Sequence, residues 1–328
     1  MRDLSVIYHV GRDSAPILEH IDLDIQAREM VGVVGESGSG KSTLAKVLLR
    51  LQPENDVDVA GEVRLKGEDL LAAAPQRLRK IRGGGIGMVL QDAMVSLNPT
   101  LTIGFQLIEG IRAHRDVSRA QAKKIAIELL ELVALPDPPR HMKQYPRQLS
   151  GGMRQRVALA IGICAEPSVL IADEPTSALD VTVQRQIMEL LRSLQRRLGM
   201  SVIFITHDLD LASEFCDRVA VLYSGRIVES GTAQEIFNAP LMPYTAGLIN
   251  CTPRMDSSKE ADAHLPSVRG SIADSWAARA SCRFAPRCDF AREVCFGGEP
   301  LLTLREESGH VARCWGTEPE GWIDEARR

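Results

Sequence analysis

An apolar strand that leads into a glycine-rich segment is the feature that most constrains how this chain can fold. Met30–Val34 is predicted to be a short buried strand, and an amphipathic helix is predicted over Ser42–Leu51. Between them, residues 35–42 read Gly-Glu-Ser-Gly-Ser-Gly-Lys-Ser and satisfy the pattern G-x-x-x-x-G-K-[ST]. In that pattern the glycines let backbone N–H groups turn inward and surround phosphate oxygens. We therefore predict that this segment, the phosphate loop, binds a nucleoside triphosphate; the alternative is a glycine-rich turn without a ligand.

The side chains of the phosphate loop have complementary expected roles. Lys41 places a cation near the β- and γ-phosphates, and the hydroxyl of Ser42 can ligate Mg²⁺. The helix that begins here presents the positive end of its dipole to the phosphates. The residues that we expect to contact the nucleotide are Gly35, Ser37, Gly38, Ser39, Gly40, Lys41, Ser42 and Thr43.

Two carboxylates follow another apolar segment. Val169–Ala172 is predicted to be a buried strand, and it ends in Asp173 and Glu174. Such a strand beside the phosphate loop brings acids to the edge of the sheet where ligands bind. Asp173 is expected to hold Mg²⁺, directly or through water, and Glu174 to orient and deprotonate the attacking water. The alternative is an acidic pair at a helix start, which Pro175 partly supports.

A second anion site is predicted at Ser150-Gly151-Gly152. Ser150 is a good N-cap, and the two glycines leave the backbone N–H groups of the helix start uncovered. One triphosphate does not need two such sites from one subunit. We therefore expect this segment to close on ATP bound to another subunit, against the alternative of a plain capped helix.

Elsewhere, apolar strands alternate with helical patterns, which favours a mainly parallel sheet with helices on both faces. A helical block from about 95 to 165, in which Ser118 is a predicted N-cap, interrupts this alternation and indicates an inserted helical subdomain. The polar segment Thr252–Ala280 is predicted to be a linker. The predicted strands, the last of which we expect to be the final strand of the chain, are Leu4–Val10, Ile21–Ile25, Met30–Val34, Gly61–Leu65, Ile86–Leu90, Val169–Ala172, Val202–Ile205 and Val219–Tyr223.

Charge and hydropathy exclude some classes of protein. A net charge of −4 over 328 residues argues against a broad nucleic-acid-binding surface, so no nucleic-acid partner is expected. The basic run at 77–82 is interpreted as a solvated helix face. No segment approaches the ~20 apolar residues of a membrane-spanning helix, and the N-terminus lacks the apolar region of a signal peptide. We expect a cytosolic chain, unless a partner holds it at a membrane.

The order of these motifs resembles the nucleotide-binding domain of the ABC ATPases over about residues 3–250. The resemblance implies ATP hydrolysis and an α/β, P-loop NTPase-type mainly parallel sheet with an antiparallel β subdomain and an inserted helical subdomain. A small Cys-rich C-terminal extension would follow. The implied division is an ABC ATPase domain over residues 1–235 and the C-terminal extension over residues 236–328.

The same resemblance implies roles for four further residues. Gln91 resembles the glutamine that senses Mg²⁺ and the γ-phosphate and links to membrane subunits. His207 resembles the switch histidine that contacts the γ-phosphate, and Asp180 lies in a segment that resembles the loop communicating across the dimer. Tyr8 resembles the aromatic residue that stacks on adenine; otherwise it is an ordinary strand aromatic.

Several segments resemble the oligopeptide/dipeptide importer ATPases. They are Ser96-Leu97-Asn98-Pro99, Met153-Arg154-Gln155-Arg156 and the extension past residue 235. Pro243-Tyr244-Thr245 resembles that family's HPYT segment, with Met242 in place of histidine, and Ala93 replaces the usual proline after Gln-Asp. Neither change touches the phosphate chemistry, but both weaken the assignment of the cargo.

This family resemblance implies an ATPase subunit that is peripheral on the cytoplasmic face of the cell membrane. Its implied partners are a second ABC ATPase subunit (a paralogue or itself), two integral membrane permease subunits and an extracytoplasmic solute-binding protein. Short peptides are the implied cargo; nickel chelates or glycosides are alternatives. Two other classes stay open: a soluble ABC ATPase in DNA repair, translation or cluster assembly, and a regulatory nucleotide binder, against which Glu174 and His207 count.

Four of the seven cysteines cluster near the C-terminus. Their spacing has neither the paired C-x2-C of common zinc sites nor a ferredoxin run, so zinc, iron–sulfur and unligated thiols all stay open from the residues. The region around them resembles the C-terminal region of the same importer ATPases, some of which carry a [4Fe–4S] cluster there. That resemblance implies iron–sulfur ligation by the cysteine group: Cys282, Cys288, Cys295 and Cys314.

Overall fold

The chain folds around one large sheet with helices on both faces and a smaller antiparallel sheet beside it. The computed structural model describes residues 1–11, 13–53, 55–91, 96–177, 179–251, 268–271, 278–304 and 309–317. Its strands are β1 Arg2–Val10, β2 Asp13–Ile21, β3 Met30–Val34, β4 Val57–Glu62, β5 Arg64–Leu65, β6 Glu68–Asp69, β7 Ile86–Val89, β8 Val169–Asp173, β9 Ser201–Thr206, β10 Arg218–Tyr223, β11 Arg226–Thr232, β12 Thr303–Leu304 and β13 Val311–Ala312.

The helices are concentrated after β7 and after β8. They are α1 Lys41–Leu48, α2 Pro75–Gly84, α3 Ile103–His114, α4 Arg119–Leu132, α5 Pro138–His141, α6 Gly151–Ile163, α7 Val181–Leu198, α8 Leu209–Phe215, α9 Ala233–Asn238, α10 Pro243–Asn250 and α11 Val294–Gly297. Ser118 caps α4, and its hydroxyl accepts the N–H of Gln121 in a reciprocal capping box, as predicted. The basic run at 77–82 lies on α2, where Leu78 and Ile81 face inward.

The large sheet has the strand order β12-β13-β11-β10-β3-β9-β8-β7. The five strands from β10 to β7 pair in parallel, whereas β11, β13 and β12 continue the sheet in antiparallel pairs. The smaller sheet has the order β2-β1-β4 and is antiparallel throughout. The predicted mainly parallel sheet with helices is therefore confirmed.

Strand alternation divides the core between the two faces of the large sheet. In β3, Met30 and Val34 join the core that faces α3, α4, α6 and α7, while Val31 and Val33 join the core beneath the antiparallel sheet and α1. Every residue of β3 is buried, as expected for a central parallel strand. The loop that follows β3 is thus fixed between two cores.

Three strand predictions were wrong. The predicted strand Gly61–Leu65 is divided at Val63, because Gly61 and Glu62 end β4, which pairs with β1, whereas Arg64–Leu65 is β5, which pairs with β6. The apolar alternation at Ile21–Ile25 is not a strand, because β2 occupies Asp13–Ile21, where it pairs with β1. Val219–Tyr223 is not the final strand: β11 follows it, and β13 from the C-terminal extension pairs with β11. The linker predicted at Thr252–Ala280 lies almost wholly outside the described residues, as do Asp92, Ala93 and Ala178.

Candidate functional site

The phosphate loop depends on two glycines. A Cβ atom on Gly35 would lie 2.1 Å from the carbonyl oxygen of Leu222, and one on Gly40 would lie 2.7 Å from Cδ2 of Leu18. Gly40 also has a φ of 110°, a backbone conformation that residues with a side chain rarely adopt. The loop therefore passes close to β10 and β2 only because these positions lack side chains.

Helix α1 begins at the end of this loop without a side-chain cap. Its N-cap is Gly40, and its first turn contains no acidic residue. The first backbone N–H groups of a helix have no partner within the helix, and they carry its positive dipole end. The start of α1 thus offers uncovered donors to an anion.

Lys41 is held at the centre of the loop. Its ammonium donates to the carbonyl oxygens of Gly35 at 2.7 Å and Glu36 at 2.9 Å, and the residue is only 6% exposed. Burial lowers the pKa of Lys41, while the carboxylates of Glu174, Asp173 and Glu36 oppose that shift. The result is a desolvated cation surrounded by backbone oxygens.

Asp173 lies beside the hydroxyl of Ser42. Burial raises the pKa of Asp173, and a hydrogen bond with Ser42 counteracts that shift. The Oδ1 atom of Asp173 is buried and has no hydrogen-bond partner among the described residues. An unsatisfied carboxylate oxygen next to a hydroxyl fits the oxygen ligands that Mg²⁺ takes beside phosphates.

Glu174, Gln91 and His207 meet across the cleft from Lys41. Gln91 Nε2 donates to Glu174 Oε2 at 2.8 Å, and His207 Nδ1 lies 3.2 Å from Glu174 Oε1. The His207 side chain is 61% exposed, so it can contact a ligand in the cleft. Three strand ends, those of β7, β8 and β9, therefore place these side chains at one edge of the sheet.

These residues line one open cleft of about 630 Å³. That volume lies within the range of ligand pockets. The residues that line it are Ile17, Ser37, Gly38, Gly40, Lys41, Ser42, Thr43, Gln91, Glu174 and His207. Most of the predicted nucleotide contacts therefore lie together at this cleft. Ile17 of β2 also lines the cleft, but nothing in the sequence distinguishes it from an ordinary strand residue.

The predicted second anion site lies away from this cleft. Ser150 is the N-cap of α6, and its exposed hydroxyl accepts the N–H of Met153 at 3.3 Å. A Cβ on Gly152 would lie 2.9 Å from the side chain of Val183 in α7. Asp180 caps α7 and accepts the N–H of Val183 at 3.0 Å. Neither helix start lines the cleft that contains Lys41.

Tyr8 does not line the cleft either. It pairs with Ala15 of β2 and Val57 of β4, and its ring is partly buried against the core beneath the antiparallel sheet. Its stacking on adenine stays a prediction.

The cysteine group converges in the C-terminal extension. Burial raises the pKa of Cys282 to about 11 and that of Cys314 to about 12, and the other three thiols add to the shift of Cys314. No three His, Cys, Asp or Glu side chains within the described ranges are arranged so that they could hold a metal ion. The thiols are neighbours, but they are not in ligand geometry.

Contacts between the C-terminal extension and the phosphate loop were not predicted from the sequence. Arg287 pairs with the carboxylate of Glu36, and the hydroxyl of Tyr244 accepts the Glu36 N–H. The only hint in the sequence was that Arg287 lies next to Cys288, in a segment that also contains Arg283. Nothing in the spacing connected that arginine with a loop 251 residues away.

Among the described residues, no helix is both long and apolar enough to cross a membrane.

Two family models match this chain. The ABC transporter family matches residues 18–177. The family described as the C-terminal region of oligopeptide/dipeptide transporters matches residues 228–295. The second match includes Cys282, Cys288 and Cys295 but ends before Cys314.

Known proteins similar to the chain agree with these matches. A Brucella abortus (strain 2308) protein, provisionally named a peptide import ATP-binding protein, is 48% identical over 95% of this chain and 92% of its own length. A dipeptide transport ATP-binding protein of Bacillus subtilis (strain 168) is 41% identical over 96% of this chain and 93% of its own. An ATP-binding cassette solved as a dimer bound to ADP and Pi is 31% identical, with a TM-score of 0.61 over 71% of this chain and 97% of that chain. The chain therefore belongs to the ABC transporter family of ATP-binding proteins, within the group that carries the oligopeptide/dipeptide transporter C-terminal region.

Proposed function

We propose that the chain is the ATP-hydrolysing subunit of an importer for short peptides. The observation that carries the hydrolytic part is the meeting of Lys41, Glu174, Gln91 and His207 in one cleft. The match of residues 228–295 to the C-terminal region of oligopeptide/dipeptide transporters supports peptides as the cargo.

In the proposed reaction, the phosphate loop holds ATP and Glu174 accepts a proton from water. The water oxygen bonds to the γ-phosphorus, the bond from that phosphorus to the bridging oxygen breaks, and ADP and phosphate form. Gln91 and His207 hold the two oxygens of the Glu174 carboxylate, which fixes its direction. Lys41 stabilises charge on the β- and γ-phosphates from its buried position.

Ser42 and Asp173 would hold Mg²⁺, with Gln91 nearby. The ion, when bound, neutralises charge on the β- and γ-phosphates. The buried Oδ1 of Asp173, for which the described part of the chain offers no hydrogen-bond partner, supports this assignment.

We further propose that the working unit is a pair of ATPase subunits, either identical or paralogous. In that pair, Ser150, Gly151 and Gly152 of one subunit close on ATP held by the other, and Asp180 lies at the same contact. Two observations support this: the exposed start of α6 lies outside its own cleft, and a similar ATP-binding cassette was solved as a dimer. Residues 1–235 would form the ATPase domain, with a helical subdomain at about 95–165, and residues 236–328 the C-terminal extension.

The cargo path would lie on other chains. We infer two integral membrane permease subunits, which the Gln91 region contacts, and an extracytoplasmic solute-binding protein that delivers the peptide. The chain would then sit peripherally on the cytoplasmic face of the membrane. The names of its relatives, which concern peptide import and dipeptide transport, support this arrangement.

Copurification tests the transport proposal. The tagged full chain, extracted with mild detergent, should retain two integral membrane subunits, and ATP turnover of the complex should rise when the binding protein is loaded with a short peptide. If nickel chelates or glycosides stimulated ATP turnover instead, they would replace peptides as the assigned cargo. Association with ribosomes or DNA and no membrane partner would overturn transport and favour an ABC ATPase of another class.

The cysteine group is a proposed [4Fe–4S] site. In its support, Cys282, Cys288 and Cys295 lie near enough to Cys314 to raise the pKa of its thiol, and all four side chains belong to or pack against the same core. A cluster would have to draw the thiols together, because they lack ligand geometry as they stand.

Metal uptake by the cysteine group should depend on pH. Cys282 and Cys314, with pKa values raised to about 11 and about 12, are protonated at pH 7, so thiolate ligation must release protons and should tighten as pH rises. Anaerobic purification with iron and sulfide assays tests the site itself. Replacement of Cys282 by Ser should abolish the iron content, whereas replacement of the buried Cys164 should not. Zinc alone, or no metal, would contradict the cluster.

A further inference from the structure

In the part of the chain that the structure describes, hydrogen bonds between the C-terminal extension and the phosphate loop meet at Glu36. The backbone N–H of Glu36 donates to the Tyr244 hydroxyl at 3.0 Å. The two terminal nitrogens of Arg287 each lie 3.1 Å from a different oxygen of the Glu36 carboxylate. This two-point pairing is the strong geometry for an arginine with a carboxylate.

Arg287 has little freedom to leave this position. Its side chain is 3% exposed, and its Nε donates to the carbonyl oxygen of Arg269 at 2.6 Å. Nη1 also donates to the Tyr223 hydroxyl at 3.2 Å, and the guanidinium lies over the rings of Tyr223 and Phe284, at 5.7 and 5.9 Å from their centres. The guanidinium is therefore fixed before any nucleotide binds.

Glu36 is in turn connected to the catalytic cation. Its carbonyl oxygen accepts from Lys41, and its carboxylate is near enough to affect the charge of Lys41. Triphosphate binding next to an unpaired carboxylate would meet repulsion between like charges, which a partly desolvated site strengthens. A paired guanidinium removes that repulsion.

We propose that Arg287 and Tyr244 are positioning residues of the ATP site, through which the C-terminal extension neutralises Glu36 and fixes the shape of the phosphate loop. Neither residue needs to touch ATP. The extension is then part of the nucleotide site, and the turn that ends at Cys288 contacts the phosphate loop through Arg287.

A double-mutant cycle on ATP affinity tests this role. Replacement Arg287→Gln in the full chain should weaken ATP binding about tenfold, because the Glu36 carboxylate on the phosphate loop is left unpaired. The same replacement in a Glu36→Gln background should cost far less, because no carboxylate remains to be neutralised. The penalty of Arg287→Gln should also shrink as salt is raised. Tyr244→Phe should weaken binding by about fivefold through the lost acceptor.

Arg283 provides a matched control. It lies in the same turn, its side chain is also 3% exposed, and it pairs with Glu19 and the Ser224 carbonyl oxygen rather than with the loop. Arg283→Gln removes the contacts with Glu19 and Ser224 but keeps the pairing of Arg287 with Glu36, so ATP affinity should stay within about twofold. If Arg287→Gln does not fold, Arg287→Lys keeps the charge without the two-point pairing and should give a smaller loss.

The outcomes separate this inference from the proposed function on which it rests. Failure of the wild-type chain to bind ATP would overturn the function itself. Equal losses in Arg287→Gln and Arg283→Gln, no loss in Arg287→Gln, or a loss that Glu36→Gln does not relieve would each overturn the positioning role alone.

Discussion

Glu174 adopts a left-handed backbone conformation, with a φ of 45°, immediately after β8. Such a conformation costs a residue with a side chain roughly 1–3 kcal/mol. Its N–H donates to the Ile205 carbonyl oxygen at 2.8 Å, and its own carbonyl oxygen accepts from the Ser177 hydroxyl at 3.2 Å. These bonds hold a strained turn that directs the carboxylate toward Gln91 and His207.

Replacement of Glu174 by Gln should separate ATP binding from hydrolysis. The amide keeps the size of the side chain but cannot accept a proton from water, so turnover should fall by at least about 100-fold. ATP affinity of the full chain should be retained, because the phosphate loop is unchanged. Single-turnover hydrolysis in the assembled complex measures the effect.

Glu166→Gln is the control for that experiment. Glu166 also has a positive φ, of 56°, but its side chain is 72% exposed and pairs with Arg115 away from the cleft. This variant should hydrolyse ATP normally. Undiminished hydrolysis by Glu174→Gln would show that another group accepts the proton.

The residues of the ATP site differ in how far the sequence could predict them. Lys41, Ser42 and Glu174 lie in short segments whose residue types and spacing identify phosphate chemistry, and all three line or border one cleft. Arg287 could not be assigned, because its role depends on a contact with Glu36 that only the folded extension creates. A local sequence pattern predicts local geometry, but it does not predict which distant segments pair in the folded chain.

Strands were predictable where burial is uniform. The bounds predicted for β3 agree with the structure, because a central parallel strand is apolar throughout. Strand β11 was missed because its sequence contains Glu229, which is 0% exposed. Its carboxylate accepts the backbone N–H groups of Leu241 at 2.6 Å and Met242 at 3.0 Å, and it pairs with His310 at 2.8 Å. A buried acid with three partners interrupts the pattern that identifies strands.

Glu229 should stabilise the docking of the C-terminal extension on β11. Replacement by Ala removes the carboxylate that accepts from two buried backbone donors and contacts the ring of His310, which should lower the free energy of unfolding by about 3 kcal/mol. Urea denaturation of the full chain measures this change. Glu189→Ala, on the exposed face of α7, should change it by less than about 0.5 kcal/mol. A loss below about 1 kcal/mol for Glu229→Ala would contradict the docking role.

At the scale of the whole molecule, the two helix starts that we propose to bind phosphate, those of α1 and α6, lie apart. The start of α1 faces the cleft with Lys41, whereas the start of α6, capped by Ser150, is exposed outside it. In the proposed pair, each chain binds ATP with its own phosphate loop, and the start of α6 lies over the partner's cleft.

A pair of substitutions at Ser150 tests this arrangement without disturbing the helix. Asp and Asn are both good N-caps, so Ser150→Asp and Ser150→Asn should keep α6 intact and leave the unfolding transition unchanged. Only Asp places a negative charge where the partner's γ-phosphate would lie, so ATP turnover of the assembled complex should fall by at least about tenfold for Asp. Turnover should stay near the wild-type level for Asn.

ATP binding to the isolated full chain should be equal in both variants, because each retains its own cleft. Equal turnover in the two variants would mean that Ser150 does not approach a phosphate, and the paired site would then have to be abandoned even if ATP binding at Lys41 is intact.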